Sequence, residues 1–310
     1  MLGVSELERI VARIEPGGRL VRAWALRGGI SSTMTAVDIT TAAGGSRRVV
    51  VRQPSEWSLE RNPDAAVDEF RLLRAVTAAG VRAPAPVALD ASGEILPAPY
   101  LVLEHVDGEH RFDATDRDGY TRALAALLAA IHDLDLATLD LPLLPDLRDQ
   151  FTRKLSRQPA ALDASMDEAR VRETLAAAWP LPERNAAVLL HGDLWPGNIL
   201  WNGDAIAAAL DWEDAGTGEP LIDLAIARLD ATWVFGPDAA DELANRYLAR
   251  RPIDATDLAY WDLCAAFRSA SNLAEWSTSW RELGRPDISE RTMTEIRAGF
   301  VARALARLPA

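Results

Sequence analysis

Residues Leu189–Trp201, LLHGDLWPGNILW, followed by Asp211 within AALDWED, form the stretch on which the reading of this chain turns. The order is His-x-Asp-x-x-x-x-Asn and then a second aspartate. Magnesium is a hard cation that takes one or two protein oxygens beside phosphate oxygens and water. Asn198 and Asp211 are candidates to supply them. Transfer of a phosphoryl group to a hydroxyl also needs a carboxylate that orients the hydroxyl, accepts its proton and is not consumed by the metal. Asp193 is the candidate for that task.

The surrounding residues predict how these groups converge. Ala187 to Leu190 reads as a short apolar strand, and Asn198 to Trp201 begins another. Asn202-Gly203 is a strong signal for a two-residue hairpin turn, and Ala205 to Leu210 reads as the returning strand. Such a hairpin brings Asp211 back beside residues 193 to 198. Taken singly, Asp193 and Asn198 read equally well as turn residues and Asp211 as a surface carboxylate. Their conjunction, bracketed by apolar residues, favours chemistry.

HGDLWPGNIL and LDWEDAGTGEPLIDLA resemble the catalytic loop and metal-binding segment of the aminoglycoside phosphotransferase family. Relatives of that family include choline, homoserine and methylthioribose kinases. The resemblance extends over residues 20–300 and implies an α+β, two-lobed, protein-kinase-like fold. An N-terminal antiparallel sheet with one helix would occupy residues 1–106, and a larger, mainly helical lobe residues 107–310. The hinge would fall near residues 103–108, where the carbonyl of Glu104 and the N–H of Val106 would meet the adenine edge. The resemblance further implies ATP, with GTP as the alternative, together with Mg²⁺. In that family a buried aspartate holds the backbone of the catalytic loop, and Asp223 in PLIDLA matches it. A plain helix N-terminal acid is the other reading of Asp223.

The first hundred residues predict a mainly β lobe. Arg19 to Leu26 and Thr33 to Thr40 alternate in part, and Arg47 to Arg52 forms an apolar strand ending in a cation. Between the first two lies RGGISS, in which Gly28, Gly29, Ser31 and Ser32 would let backbone and hydroxyl donors approach phosphates. An ordinary hairpin turn also accounts for the glycines. Arg52 in VVVRQP stands where the family pattern usually has a phosphate-binding lysine. A guanidinium still grips phosphate oxygens but changes the geometry.

Residues 64–79 predict a helix closed by Gly80. Glu69, Leu72, Leu73 and Val76 share its apolar face, and a carboxylate there wants a cationic partner. The kinase-like resemblance assigns Arg52 as that partner.

Beyond residue 117 helical spacing dominates, as in Leu124, Leu127, Leu128 and Ile131. His132 reads as a satisfied helix-end histidine. His191 reads as a brace for the Asp193 loop rather than as a base. Eight of the ten tryptophans lie at or after Trp179, and they suit either a core or an acceptor pocket.

Composition sets bounds on the alternatives. The 310 residues can bury a large core. One cysteine, Cys264, excludes a disulfide framework, and a reducing cytoplasm is the expectation. MLGVSELERIVARIE reads as an amphipathic helix rather than a signal peptide, and no apolar run is long enough for a membrane span. With 33 basic and 46 acidic residues the net charge is -13, which argues against nucleic acid and mildly favours a cationic acceptor. The sequence thus points to an ATP-dependent phosphotransferase acting on a small-molecule hydroxyl. A kinase-like nucleotide-binding module without strong catalysis is the alternative, and a metal-dependent hydrolase a third.

Overall fold

The computed structural model describes residues 2–26, 31–112, 116–139, 141, 144–157, 159, 162–270 and 272–308. The chain forms two compact units, Met1–Asp107 and Gly108–Ala310.

The first unit is built on a five-stranded antiparallel sheet. Its strands are β1 (Arg19–Ala25), β2 (Ser32–Thr40), β3 (Ser46–Pro54), β4 (Pro86–Asp90) and β5 (Tyr100–Glu104), in the order β1-β2-β3-β5-β4. The β2/β3 hairpin runs in unbroken register from Thr40↔Ser46 to Ser32↔Pro54. Successive side chains of a strand point to opposite faces. Val49 and Val51 therefore share one face with Val37, Ile39 and Val102, and against it lie Leu7, Ile10 and Val11 of helix α1 (Val4–Ile14). Val50 and Arg52 fall on the other face. A short helix, α2 (Glu56–Arg61), precedes α3 (Ala65–Ala78), which buries Ala66, Glu69, Leu72, Leu73 and Val76. The observed stripe is the one that the spacing predicts.

The second unit is mainly helical. Its helices are α4 (Arg117–His132), α5 (Leu136–Leu139), α6 (Leu147–Ser156), α7 (Glu168–Ala178), α8 (Leu221–Phe235), α9 (Pro237–Arg250), α10 (Leu258–Ser269), α11 (Leu273–Glu282) and α12 (Glu290–Ala306). Every residue of α8 is buried, and α9, α10, α4 and α12 pack around it. Two short antiparallel ribbons complete the unit: β6 (Val188–Leu190) with β9 (Gly216–Gly218), and β7 (Ile199–Asn202) with β8 (Ala205–Ala209). An antiparallel sheet, here with three helices rather than the single one expected, followed by a mainly helical part, is the α+β class expected from the sequence. Among the described residues no helix is long and apolar enough to cross a membrane.

Candidate active site

The second unit gathers Asp193, Asn198 and the chain leading into Asp211. Strand β6 delivers His191, and the chain then turns through Gly192 at φ 81°. A Cβ on Gly192 would stand 2.2 Å from the Asp214 carbonyl oxygen, so this close approach of two backbones admits only glycine. Pro196–Asn198 forms a single 3-10 turn that leads into β7. The Asn198 amide donates to the Asp193 carbonyl at 2.9 Å and to its Oδ2 at 3.2 Å.

The β7/β8 hairpin turns at Gly203-Asp204, one residue later than the Asn202-Gly203 turn expected from the sequence: Asn202 ends β7 and pairs with Ala205, Gly203 stands at φ 57°, and the register shifts between Leu200 and Trp201. It returns the chain so that the Leu210 N–H donates to the Asn198 carbonyl at 2.7 Å. The Leu210 carbonyl faces His191 Nε2 at 3.0 Å. Asp211, the next residue, is thereby fixed, and it is held at φ 61°, a conformation that costs a side-chain-bearing residue energy.

Asp223, near the start of α8, secures the loop from below. Its Oδ2 accepts from the His191 N–H at 2.7 Å and its Oδ1 from the Gly192 N–H at 2.8 Å. His132 Nε2 lies 3.2 Å from Oδ2, and its Nδ1 lies 2.8 Å from the Tyr247 hydroxyl. Burial pushes the Asp223 carboxyl up, but the His132 contact, the nearby His191 and the His191 N–H outweigh it and hold the pKa below the usual range. His191 is fully buried against the Trp212 ring at 4.6 Å, and burial pushes its pKa down. A neutral imidazole bonded to the Leu210 carbonyl braces the loop.

Sequence reasoning did not find Arg268. This residue sits near the C-terminus of α10, where a cation reads as an ordinary helix-end charge. Its Nη2 contacts Asp193 Oδ1 at 2.7 Å and lies 3.7 Å from Asp214 Oδ2. Its guanidinium stands 5.8 Å from the centre of the Trp276 ring, and its carbonyl accepts from Lys154 Nζ at 2.9 Å. Burial, together with the neighbouring Arg268 and Arg172, pushes the Lys154 pKa down to about 8. Trp201, Trp212, Trp233, Trp261 and Trp280 are buried, whereas Trp195 and Trp276 are half-buried. Trp195 packs edge-on against Trp280 at 5.0 Å, and Trp280 against Phe112 at 5.5 Å.

In the first unit Arg52 and Glu69 are brought together. Both are buried, and Arg52 Nε donates to Glu69 Oε2 at 2.9 Å. Ser31 and Ser32 are buried at the start of β2. The Ser31 carbonyl accepts from the Ser55 N–H at 2.7 Å and the Ser58 hydroxyl at 3.0 Å. Ser32 Oγ has no hydrogen-bond partner among the described residues. Gly28 and Gly29 lie outside the described residues. Glu104 ends β5 with its carboxylate paired to Arg47, and Val106 follows in an irregular stretch.

Among the described residues no three His, Cys, Asp or Glu side chains cluster as a metal site. Magnesium does not need one, because it binds through one or two protein oxygens. The Asn198 amide nitrogen is turned toward Asp193, and an amide oxygen at Asn198 and a carboxylate at Asp211 are of the hard-donor kind that such a cation takes.

Known proteins place the chain among its relatives. A homoserine kinase of Methylobacterium radiotolerans is 30% identical over 207 residues, covering 61% of each chain. The matches to acyl-CoA dehydrogenase family members 10 of mouse and 11 of rat, each 26% identical, span only 18% and 32% of those longer proteins. A solved structure of a proposed aminoglycoside phosphotransferase from Ralstonia eutropha superposes with a TM-score of 0.69 at 18% identity, covering 98% of this chain and 99% of that one. The GDP and kanamycin complex of APH(2")-IIia gives a TM-score of 0.65 at 17% identity, covering 96% and 97%. These two likenesses show a shared fold. The family model described as "Phosphotransferase enzyme family" matches residues 25–262. The chain belongs to the phosphotransferase enzyme family.

Proposed function

We propose that this protein transfers the γ-phosphoryl group of ATP to a hydroxyl of a small molecule. Membership of the phosphotransferase family supports the reaction class. The observation that carries the residue roles is the lock between the two loops: Asn198 bonded to Asp193, and Leu210 bonded to both Asn198 and His191. That lock ties together the turns that carry Asp193, Asn198 and Asp211, which supports the reading.

In this reading Asp193 orients the acceptor hydroxyl. The hydroxyl oxygen forms a bond to the γ-phosphorus as the bond from phosphorus to the bridging oxygen breaks, ADP departs, and the hydroxyl proton passes to the Asp193 carboxylate. Each Asp193 oxygen accepts one bond, from Arg268 or Asn198, and retains a lone pair for that proton. Asn198 and Asp211 hold magnesium, which when bound offsets the charge of the phosphate oxygens. Arg52, fixed by Glu69, grips phosphate oxygens, and Gly28, Gly29, Ser31 and Ser32 cover them. The backbone of Glu104 and Val106 receives the base, His191 braces the loop and Asp223 anchors it.

Asp193→Asn tests the assignment. It should lower turnover roughly a hundred- to ten-thousandfold while Mg-ATP affinity, measured by calorimetry, changes little. Near-normal turnover would remove Asp193 from the mechanism. Arg52 in place of lysine favours a second reading, a nucleotide-binding module. Tight Mg-ATP binding without ADP formation, on any acceptor or on water, would support it over the first.

A further inference from the structure

We propose that Arg268 is a positioning residue for phosphoryl transfer: its guanidinium fixes the plane of the Asp193 carboxylate, so that the acceptor hydroxyl meets that group in one orientation. The inference rests on the phosphotransfer reading and adds to it a residue 75 positions away from the base.

The last torsion of an aspartate side chain is broad and roughly two-fold, so a carboxylate held by a single donor can swing. Asp193 is held at both oxygens. Arg268 Nη2 donates to Oδ1 at 2.7 Å, and the Asn198 amide donates to Oδ2 at 3.2 Å. The first bond is short and charge-assisted and the second long and neutral, so the guanidinium supplies the stronger half of the grip. The same nitrogen lies 3.7 Å from Asp214 Oδ2. Asp214 follows Asp211 in the chain, and its carbonyl stands against Gly192. One nitrogen thus spans the turn that carries the base and the segment that follows Asp211.

A long side chain can fix another only if it is itself fixed. Arg268 is half-buried in α10 between the buried Phe267 and Ser269. Its carbonyl accepts from Lys154 Nζ of α6 at 2.9 Å, and its guanidinium stands 5.8 Å from the centre of the Trp276 ring of α11. Trp276 packs edge-on against Trp233 of α8 at 6.0 Å. An exposed pair of mobile side chains lacks such a scaffold and contributes little. Orientation is also what the chemistry needs, because phosphoryl transfer through a loose transition state relies on positioning far more than on the strength of the base. A guanidinium partner makes the carboxylate less basic, a small loss in that setting, and holds its direction.

The test compares wild type with Arg268→Ala, Arg268→Gln and Arg268→Lys. ADP release is followed with homoserine, choline, N-acetylglucosamine or kanamycin as acceptor, and with water alone. With the acceptor that wild type uses fastest, Arg268→Ala and Arg268→Gln should turn over roughly ten- to a hundredfold more slowly, while calorimetric Mg-ATP affinity stays within about twofold. Arg268→Lys keeps a charged donor and should fall between them and wild type, an order that carries the test should Arg268→Ala fail to fold. Millimolar ethylguanidinium should restore part of the turnover of Arg268→Ala and none of that of Asp193→Asn. In the Asp193→Asn background Arg268→Ala should cost nothing further, because it acts through Asp193. Undiminished turnover in Arg268→Ala or Arg268→Gln, or independent losses that multiply in the double variant, overturns the proposal and leaves the phosphotransfer reading standing. So does an equal loss of turnover, Mg-ATP affinity and urea midpoint that ethylguanidinium does not relieve. A wild type that releases no ADP with any acceptor or with water removes the phosphotransfer reading, and the role of Arg268 with it.

Discussion

Gly192 and Asp211 both adopt left-handed backbone conformations, at φ 81° and 61°, for different reasons. At Gly192 the space is closed, because the Asp214 carbonyl stands where a Cβ would go. At Asp211 the strain is tolerated, since the carbonyl and N–H of the preceding Leu210 are both fixed by neighbouring loops. Gly192→Ala should therefore cost about 2 kcal/mol or more of stability, from backbone strain and a displaced carbonyl. It should also depress phosphoryl transfer more than nucleotide affinity. A urea midpoint within error of wild type would show that the two loops can separate without penalty. Arg52 and Glu69 illustrate the same dependence on surroundings. Their buried contact joins β3 to α3, and an isolated charge of either sign there would be costly.

Helix α8 is the element that ties the loop to the core. Asp223 accepts two backbone N–H groups and faces His132, so one side chain links α8, α4 and the end of β6. Asp223→Asn replaces one acceptor oxygen with a donor and leaves at least one of those N–H groups unsatisfied. The expected loss is about 2–3 kcal/mol of stability, with faster hydrogen exchange at the His191 and Gly192 amides. Unchanged exchange there would mean that the loop is held by other contacts. Much of this architecture was legible beforehand. Asn202-Gly203 announced the hairpin, although the turn itself falls one residue on at Gly203-Asp204, and the α3 stripe placed Glu69 inward because spacing alone fixes a helix face. Arg268 and Asp230 were not legible. A cation near a helix C-terminus and an acid in a helix look ordinary, and their meaning comes from Asp193, 75 residues away from Arg268, and from the complete burial of α8. His132 read correctly as a satisfied histidine, but its partners, Asp223 and Tyr247, lie 91 and 115 residues away and no local pattern names them.

For the whole molecule, the formal charge of -13 conceals carboxyls with opposed effects on stability. Hydrogen bonds from Arg48 and then Arg22 hold the Asp38 pKa down at about 2, and the contacts at Asp223 likewise outweigh its burial. Such groups stabilise the native state above the unfolded pKa, and their contribution is lost as pH falls through the folded value. Asp230 works in the other direction. Its native carboxyl keeps a proton that the unfolded chain releases near pH 4, so rising pH favours unfolding by about 1.4 kcal/mol per pH unit at most until the native group ionises. Asp230→Asn removes that dependence while preserving shape. The variant's advantage over wild type in urea midpoint should be smallest near pH 4 and grow steadily toward neutrality, because every other titrating group cancels in the comparison. A difference that stays flat across pH 4 to 7 would mean that Asp230 is ionised in the native protein and that its burial is compensated.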